Sequence, residues 1–273
     1  MPQDIKRLEK IANDLKQDVI DMLLESGSGH TGGSLGTADI FAALYFQILN
    51  INPKSPNAKN RDRFVLSNGH ICPIWYATLA KRGFFPKSKL WTLRKLNSDL
   101  QGHPKYQSVP GIENVSGSLG QGLSQAVGMA VAAKMDGDSY RVYVMTGDGE
   151  LNEGQVWEAA MFCPSKGLNN ITWIIDRNSI QSDGNTQDIM PIENLKAKLE
   201  SFNWFVIEVD GHNIEEIINA CNMAKSVNQR PTVIIAHTIL GKGVKFMEND
   251  YVWHGRAPNP REAARALKEL KSL

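Results

Sequence analysis

Apolar residues fall into two rhythms that alternate along the chain. Leu8, Ile11, Leu15, Val19, Met22 and Leu23 recur every three or four positions, which predicts a helix over residues 4–25, closed by Gly27 and Gly29. A second helix is predicted from Thr37 to Leu49, stopped by Asn50-Ile51-Asn52-Pro53. Short apolar runs mark strands at 63–67, 141–145, 171–176, 205–209 and 232–236. Helical stretches lie among them at 73–82, 122–135, 153–165 and 213–226, and an amphipathic helix follows at 260–271. Residues 97–119, rich in Gly, Ser and Pro, read as loops. Strands alternating with helices predict an α/β fold, a mostly parallel sheet covered by helices on both faces. No composition shift marks a boundary, so residues 1–273 read as one domain with an N-terminal helical extension.

Composition narrows the partners. Of the 273 residues 42% are hydrophobic, enough for a sizeable core, and the formal net charge is only +1. That charge offers no field to nucleic acid or to an acidic membrane. No run approaches the ~18 apolar residues of a membrane span, and MPQDIKRLEK has no apolar signal core. Cys72, Cys163 and Cys221 are scattered without a C-x-x-C, which reads as reduced, buried thiols in a cytoplasmic protein.

The densest chemistry lies at two predicted strand ends. RVYVMT leads into Gly147-Asp148-Gly149, and NITWIID leads into Arg177-Asn178. The C-terminal edge of an open parallel sheet is where ligands bind. Asp148 and Asn178 offer hard oxygen donors, which suit Mg²⁺ or Ca²⁺ rather than zinc. The flanking glycines let the backbone approach a bulky anion. A magnesium ion with two side-chain ligands usually shares a phosphate-bearing partner, so the motif asks for a diphosphate. Asp-Gly alone is common turn chemistry; Asn178 on the next strand makes the pattern specific. Five of the six histidines touch a glycine (His30, His70, His103, His212 and His254), while His237 ends the strand TVIIA. Taken singly, such residues are ordinary loop histidines. Gly27-Ser28-Gly29-His30-Thr31-Gly32 fits G-x-G-x-x-G, but it follows a long helix rather than a strand, so a nicotinamide site is rejected.

GDGELNEGQVWEA resembles the cofactor signature of thiamine diphosphate enzymes. SGSGHTGGSLG, SNGH, QGHP, VSGSLGQGLSQAVGMAVA and AHTILGKG, in that order, resemble segments of transketolases. The resemblance runs from about residue 20 onward. It is strongest to the separate N-terminal subunit of split transketolases, which also tends to carry a late Trp-His-Gly such as Trp253-His254-Gly255.

The resemblance implies a thiamine diphosphate-binding fold and a glycolaldehyde transfer between sugar phosphates. It implies thiamine diphosphate with Mg²⁺, Ca²⁺ or Mn²⁺, held by Asp148, Asn178 and the Ile180 carbonyl, with Gly149 against the diphosphate. His70 and His237 would contact the diphosphate, and His237 also the substrate. His30 and His103 would bind donor hydroxyls. Gly117 and Leu119 would meet the aminopyrimidine ring, and Glu153 would be a buried glutamate linking paired sites. The pyrimidine-binding half is expected on a partner chain, in an α₂β₂ assembly. Thr31 follows the first histidine where many single-chain members have proline. The alternatives are a split transketolase-like enzyme using an unusual sugar or an acyl donor, a 2-oxo acid dehydrogenase subunit, and a non-catalytic binding subunit.

Overall fold

The computed structural model describes residues 2–272. Its strands are β1 (Arg63–Leu66), β2 (Val142–Gly147), β3 (Ile171–Arg177), β4 (Ile180–Gln181), β5 (Gly184–Asn185), β6 (Phe205–Asp210) and β7 (Thr232–His237). Five of them form one sheet in the order β1-β2-β3-β7-β6, and every neighbouring pair is parallel. All five C-terminal ends therefore share one edge. β4 and β5 form a separate two-residue antiparallel hairpin just beyond that edge.

The helices are α1 (Pro2–Ser26), α2 (Thr31–Gly36), α3 (Ala38–Ala43), α4 (Cys72–Arg82), α5 (Gln121–Asp136), α6 (Gly154–Ser165), α7 (Thr186–Ile189), α8 (Leu195–Ser201), α9 (Ile214–Ser226) and α10 (Pro260–Leu270). Alternation along each strand sorts its side chains to the two faces. Phe64, Leu66, Tyr143, Met145, Ile174 and Ile234 pack with α1, α3, α4, α9 and α10. Val65, Val144, Trp173, Ile175, Val233 and Ile235 pack with α5, α6 and α8. The expected parallel sheet covered on both faces is thus the observed fold. Leu8, Leu15, Val19 and Leu23 of α1 are fully buried in the first core, so the predicted helical extension is built into the domain.

The largest departure from the periodicity concerns residues 31–49. One helix was expected from Thr37, but helical structure begins at Thr31, breaks at Thr37 and widens into a π turn at Leu44–Ile48. The Thr37 hydroxyl donates to the Gly33 carbonyl at 2.8 Å, a back-bond that bends helices. The glycine-rich first turn is helical because packing demands it. A Cβ on Gly36 would lie 2.8 Å from the Ile239 carbonyl oxygen, so only glycine fits there. Cys72, Cys163 and Cys221 are free and buried.

Candidate active site

Three strand ends build the floor of a cavity of about 230 Å³. β1 runs into Ser67-Asn68-Gly69-His70, β2 into Gly147-Asp148-Gly149, and β3 into Asn178-Ser179-Ile180. His30, His70, His103 and His254 line the cavity, along with Gly117, Leu119, Gly149 and Ile180. Ring centroids are 5.0 Å apart for His30 and His70, 5.9 Å for His30 and His254, 5.1 Å for His70 and His254, and 6.4 Å for His30 and His103. A larger cleft of about 550 Å³ lies around the other end of β1. There Arg61 and Arg63 already face the buried Glu113, so it lacks convergent free groups.

Burial pushes the His30 pKa down to about 4, helped by the charges of His254, Arg94 and His103. His70 is held well below the usual imidazole range for the same first reason, and His103 and His254 are lowered as well. At neutral pH these rings are uncharged, each with one ring nitrogen able to accept a hydrogen bond. Several polar atoms around the cavity are buried without a partner among the described residues: His30 Nδ1, His254 Nδ1, Asn68 Oδ1 and Gln181 Nε2. Buried polar groups are normally satisfied, so this cluster fits a polar ligand.

The oxygen donors lie on two neighbouring strand-end turns, joined through the Ser179 amide. Asp148 is 1% exposed. Its Oδ2 accepts from the Ser179 amide at 2.6 Å and from Arg177 Nη1 at 2.7 Å. Its Oδ1 accepts only from the neighbouring Gly149 amide, at 2.8 Å. Asn178 Oδ1 accepts from the Ile180 amide at 2.9 Å, and Asn178 Nδ2 donates to Asp176 at 2.8 Å. Asp176 is itself held by the Thr238 hydroxyl. The acid thus fixes which end of the Asn178 amide presents oxygen. Burial raises the Asp148 pKa, against the opposing pull of Arg177 and two amides. A carboxylate and an amide oxygen from adjacent strand ends suit a hard divalent cation, and such a cation would share Asp148 with Arg177. That guanidinium also reaches Thr186 at 3.0 Å and Glu193 at 2.5 Å.

Two expected site residues lie elsewhere. His237 is exposed and does not line the cavity. Position 237 falls on the sheet face of Ile235, and its Nε2 lies 3.0 Å from Glu208 Oε2. His254, to which the resemblance gave no role, stands in the cavity instead. Its neighbour Gly255 was the available signal, a feature it shares with His30, His70 and His103. Glu153 was expected to be buried, but it is exposed in this chain, where the backbone turns outward to start α6. The buried acid is Glu150, on the 3-10 turn Gly149–Asn152.

The comparisons identify the family. Residues 8–271 match the family described as transketolase, thiamine diphosphate binding domain. The chain is 41% identical to a 6-deoxy-6-sulfo-D-fructose transketolase subunit of Clostridium sp., covering 97% of this chain and 96% of that one. It is 39% identical to one of the subunits of the apulose-4-phosphate transketolase of Phocaeicola vulgatus, covering 97% and 94%. It is 40% identical to human transketolase over 99% of this chain but only 43% of that protein. The solved transketolase of Leishmania mexicana superposes with a TM-score of 0.91 at 31% identity, covering 97% of this chain and 41% of that one. The chain therefore spans about two fifths of the full-length transketolases it matches. With the strand-end cavity, the parallel sheet and these matches together, the chain belongs to the transketolase thiamine diphosphate-binding domain family.

Proposed function

We propose that this chain is the diphosphate-binding subunit of a two-chain transketolase that transfers a two-carbon ketol unit from a ketose to an aldose. The observation that carries the reading is one cavity lined by four uncharged imidazoles together with Gly149 and Ile180, which follow Asp148 and Asn178 at the ends of β2 and β3. When bound, thiamine diphosphate supplies the carbanion that opens the ketose carbon–carbon bond. Asp148, Asn178 and the Ile180 carbonyl would hold Mg²⁺. Gly149 would border the diphosphate: a Cβ there would lie 2.9 Å from Gln181, so a larger residue would crowd the passage. Gly117 and Leu119 would meet the pyrimidine ring.

His30 and His103 bind donor hydroxyls in this reading. Their lowered pKa values keep them uncharged, so that a ring nitrogen can accept a hydrogen bond from a donor hydroxyl. His254, 5.1 Å from His70, takes the place between diphosphate and substrate that was expected of His237. The relatives named as subunits support a partner chain; in this reading that chain brings the pyrimidine-binding half, in a cytoplasmic α₂β₂ assembly. Exposed Glu153 fits a residue that becomes buried where paired sites meet.

The same relatives are named for sugars bearing a sulfonate or a phosphate, which supports a donor or acceptor with an anionic end. The test is a donor and acceptor panel, assayed with this chain alone and after co-expression with candidate partners. Activity that appears only with a partner supports the reading. Full transketolase activity of this chain alone refutes it.

A further inference from the structure

Glu150 is 3% exposed and borders the cavity, yet it has no part in the chemistry above. Its carboxylate gathers three segments. Oε1 accepts from the Gly120 amide at 2.8 Å and from the Ser67 hydroxyl. Oε2 accepts from the Gly147 amide at 3.1 Å. Ser67 Oγ in turn accepts from the Gly122 amide at 3.0 Å. One side chain therefore ties the end of β1, the end of β2 and the start of α5.

The three segments do not depend on it equally. The β2 turn is pinned independently, since Gly147 stays in register with Asp176 and the Asp148 amide donates to the Asp176 carbonyl at 3.1 Å. The turn before α5 has no such support. Among the described residues, no side-chain hydrogen bond holds Gly117, Ser118 or Leu119, which lead into α5 through a weak turn at Leu119-Gly120. The nearest anchors are Ser116 to the Pro104 carbonyl on one side and Gly120 to Glu150 on the other. Gly117 and Gly120 both have positive φ, 151° and 82°, so the turn is free to move once released.

We propose that Glu150 is a positioning residue that sets the Gly117–Leu119 turn over the cavity and so fixes the width of the slot for the cofactor ring. The proposal rests on the cofactor assignment above. A carboxylate suits this task because both oxygens must accept. A glutamine would point an NH₂ at one of the donors, leaving buried groups unpaired.

The test compares the unmodified chain with Glu150→Gln and Ser67→Ala, the second keeping the carboxylate and both amide bonds. Two quantities are read: amide hydrogen exchange across residues 116–123 without ligand, and affinity for thiamine diphosphate and for inorganic pyrophosphate in the presence of Mg²⁺. The expected result for Glu150→Gln is roughly tenfold faster exchange in that segment, and roughly tenfold weaker thiamine diphosphate binding with pyrophosphate binding within about threefold. Ser67→Ala should fall between. Unchanged exchange overturns the proposal, and so does an equal loss for both ligands, which would mark a merely structural carboxylate. If the unmodified chain binds neither ligand even when the partner subunit is present, the cofactor reading falls, and the exchange data alone judge the tie through Glu150.

Discussion

Acid should destabilise this chain through its histidine cluster, in a defined window. The folded chain holds His30 at a pKa of about 4, because the ring is buried and sits among His254, Arg94 and His103. In the unfolded chain the same imidazole titrates at about 6.5. Between these values the unfolded state takes up a proton that the folded state refuses. Stability is therefore fully present above pH 6.5 and falls as the pH drops toward 4. Linkage over that gap gives about 2 kcal/mol by pH 5. His30 is partly open to solvent, and screening reduces this to about 1 kcal/mol. His70, His103 and His254 shift in the same direction and add to the loss. The assay is urea unfolding at pH 7, 6 and 5 for the unmodified chain and for His30→Asn, with proton NMR of the ring Cε1–H signals. The variant should lose about 1 kcal/mol less between pH 7 and 5, equivalent to about 2–4 °C in Tm. Identical slopes, with a His30 signal that titrates near 6.5, would refute the argument.

Other perturbations have separate consequences. A Cβ on Gly122 would lie 2.6 Å from the Ser67 Cα, so Gly122→Ala should cost about 1–3 kcal/mol in urea unfolding. Asp39 is buried between Lys16 at 3.1 Å and His212 at 3.0 Å, so Asp39→Ala should cost about 3–5 kcal/mol by leaving Lys16 unpaired, read by the same method. His254→Ala should lower turnover of the assembled enzyme at least about tenfold, and His237→Ala less than about threefold, because only the first ring stands in the cavity. Steady-state kinetics with a ketose donor separates the two.

The sheet was legible because β2, β3 and β7 are buried on both faces and read as continuous apolar runs, and the half-buried edge strand β6 still opens on Phe205-Val206-Ile207. The positions of Asp148 and Asn178 followed from that, since each comes directly after a strand. The α2 turn was not legible. Thr31–Gly36 has the composition of a loop, and its helix exists because Ile71, Ile239 and Leu240 press on its glycines. The sequence assigns no element to the segment from Ile180 to Ser201; in the fold, Arg177 reaches Thr186 and Glu193 within it.

Choosing between His237 and His254 needed the face of β7 on which residue 237 falls, a register question that single-sequence spacing leaves open. Glu150 and Glu153 exchange burial for a similar reason. One 3-10 turn carries the first inward to Ser67 and Gly120, and the start of α6 carries the second outward. The family resemblance supplied the cofactor and the order of the histidines, while the side-chain directions came only with the folded chain.

The central claim is that oxygens from the ends of β2 and β3 hold a divalent cation that anchors a diphosphate. Isothermal titration of thiamine diphosphate into this chain, with Mg²⁺ and with chelator, for the unmodified protein and for Asp148→Asn, tests it most directly. The account predicts binding that requires the ion and weakens at least about 100-fold in the variant, in line with loss of a charged metal ligand. Equal affinity with and without metal, unchanged by Asp148→Asn, would contradict it.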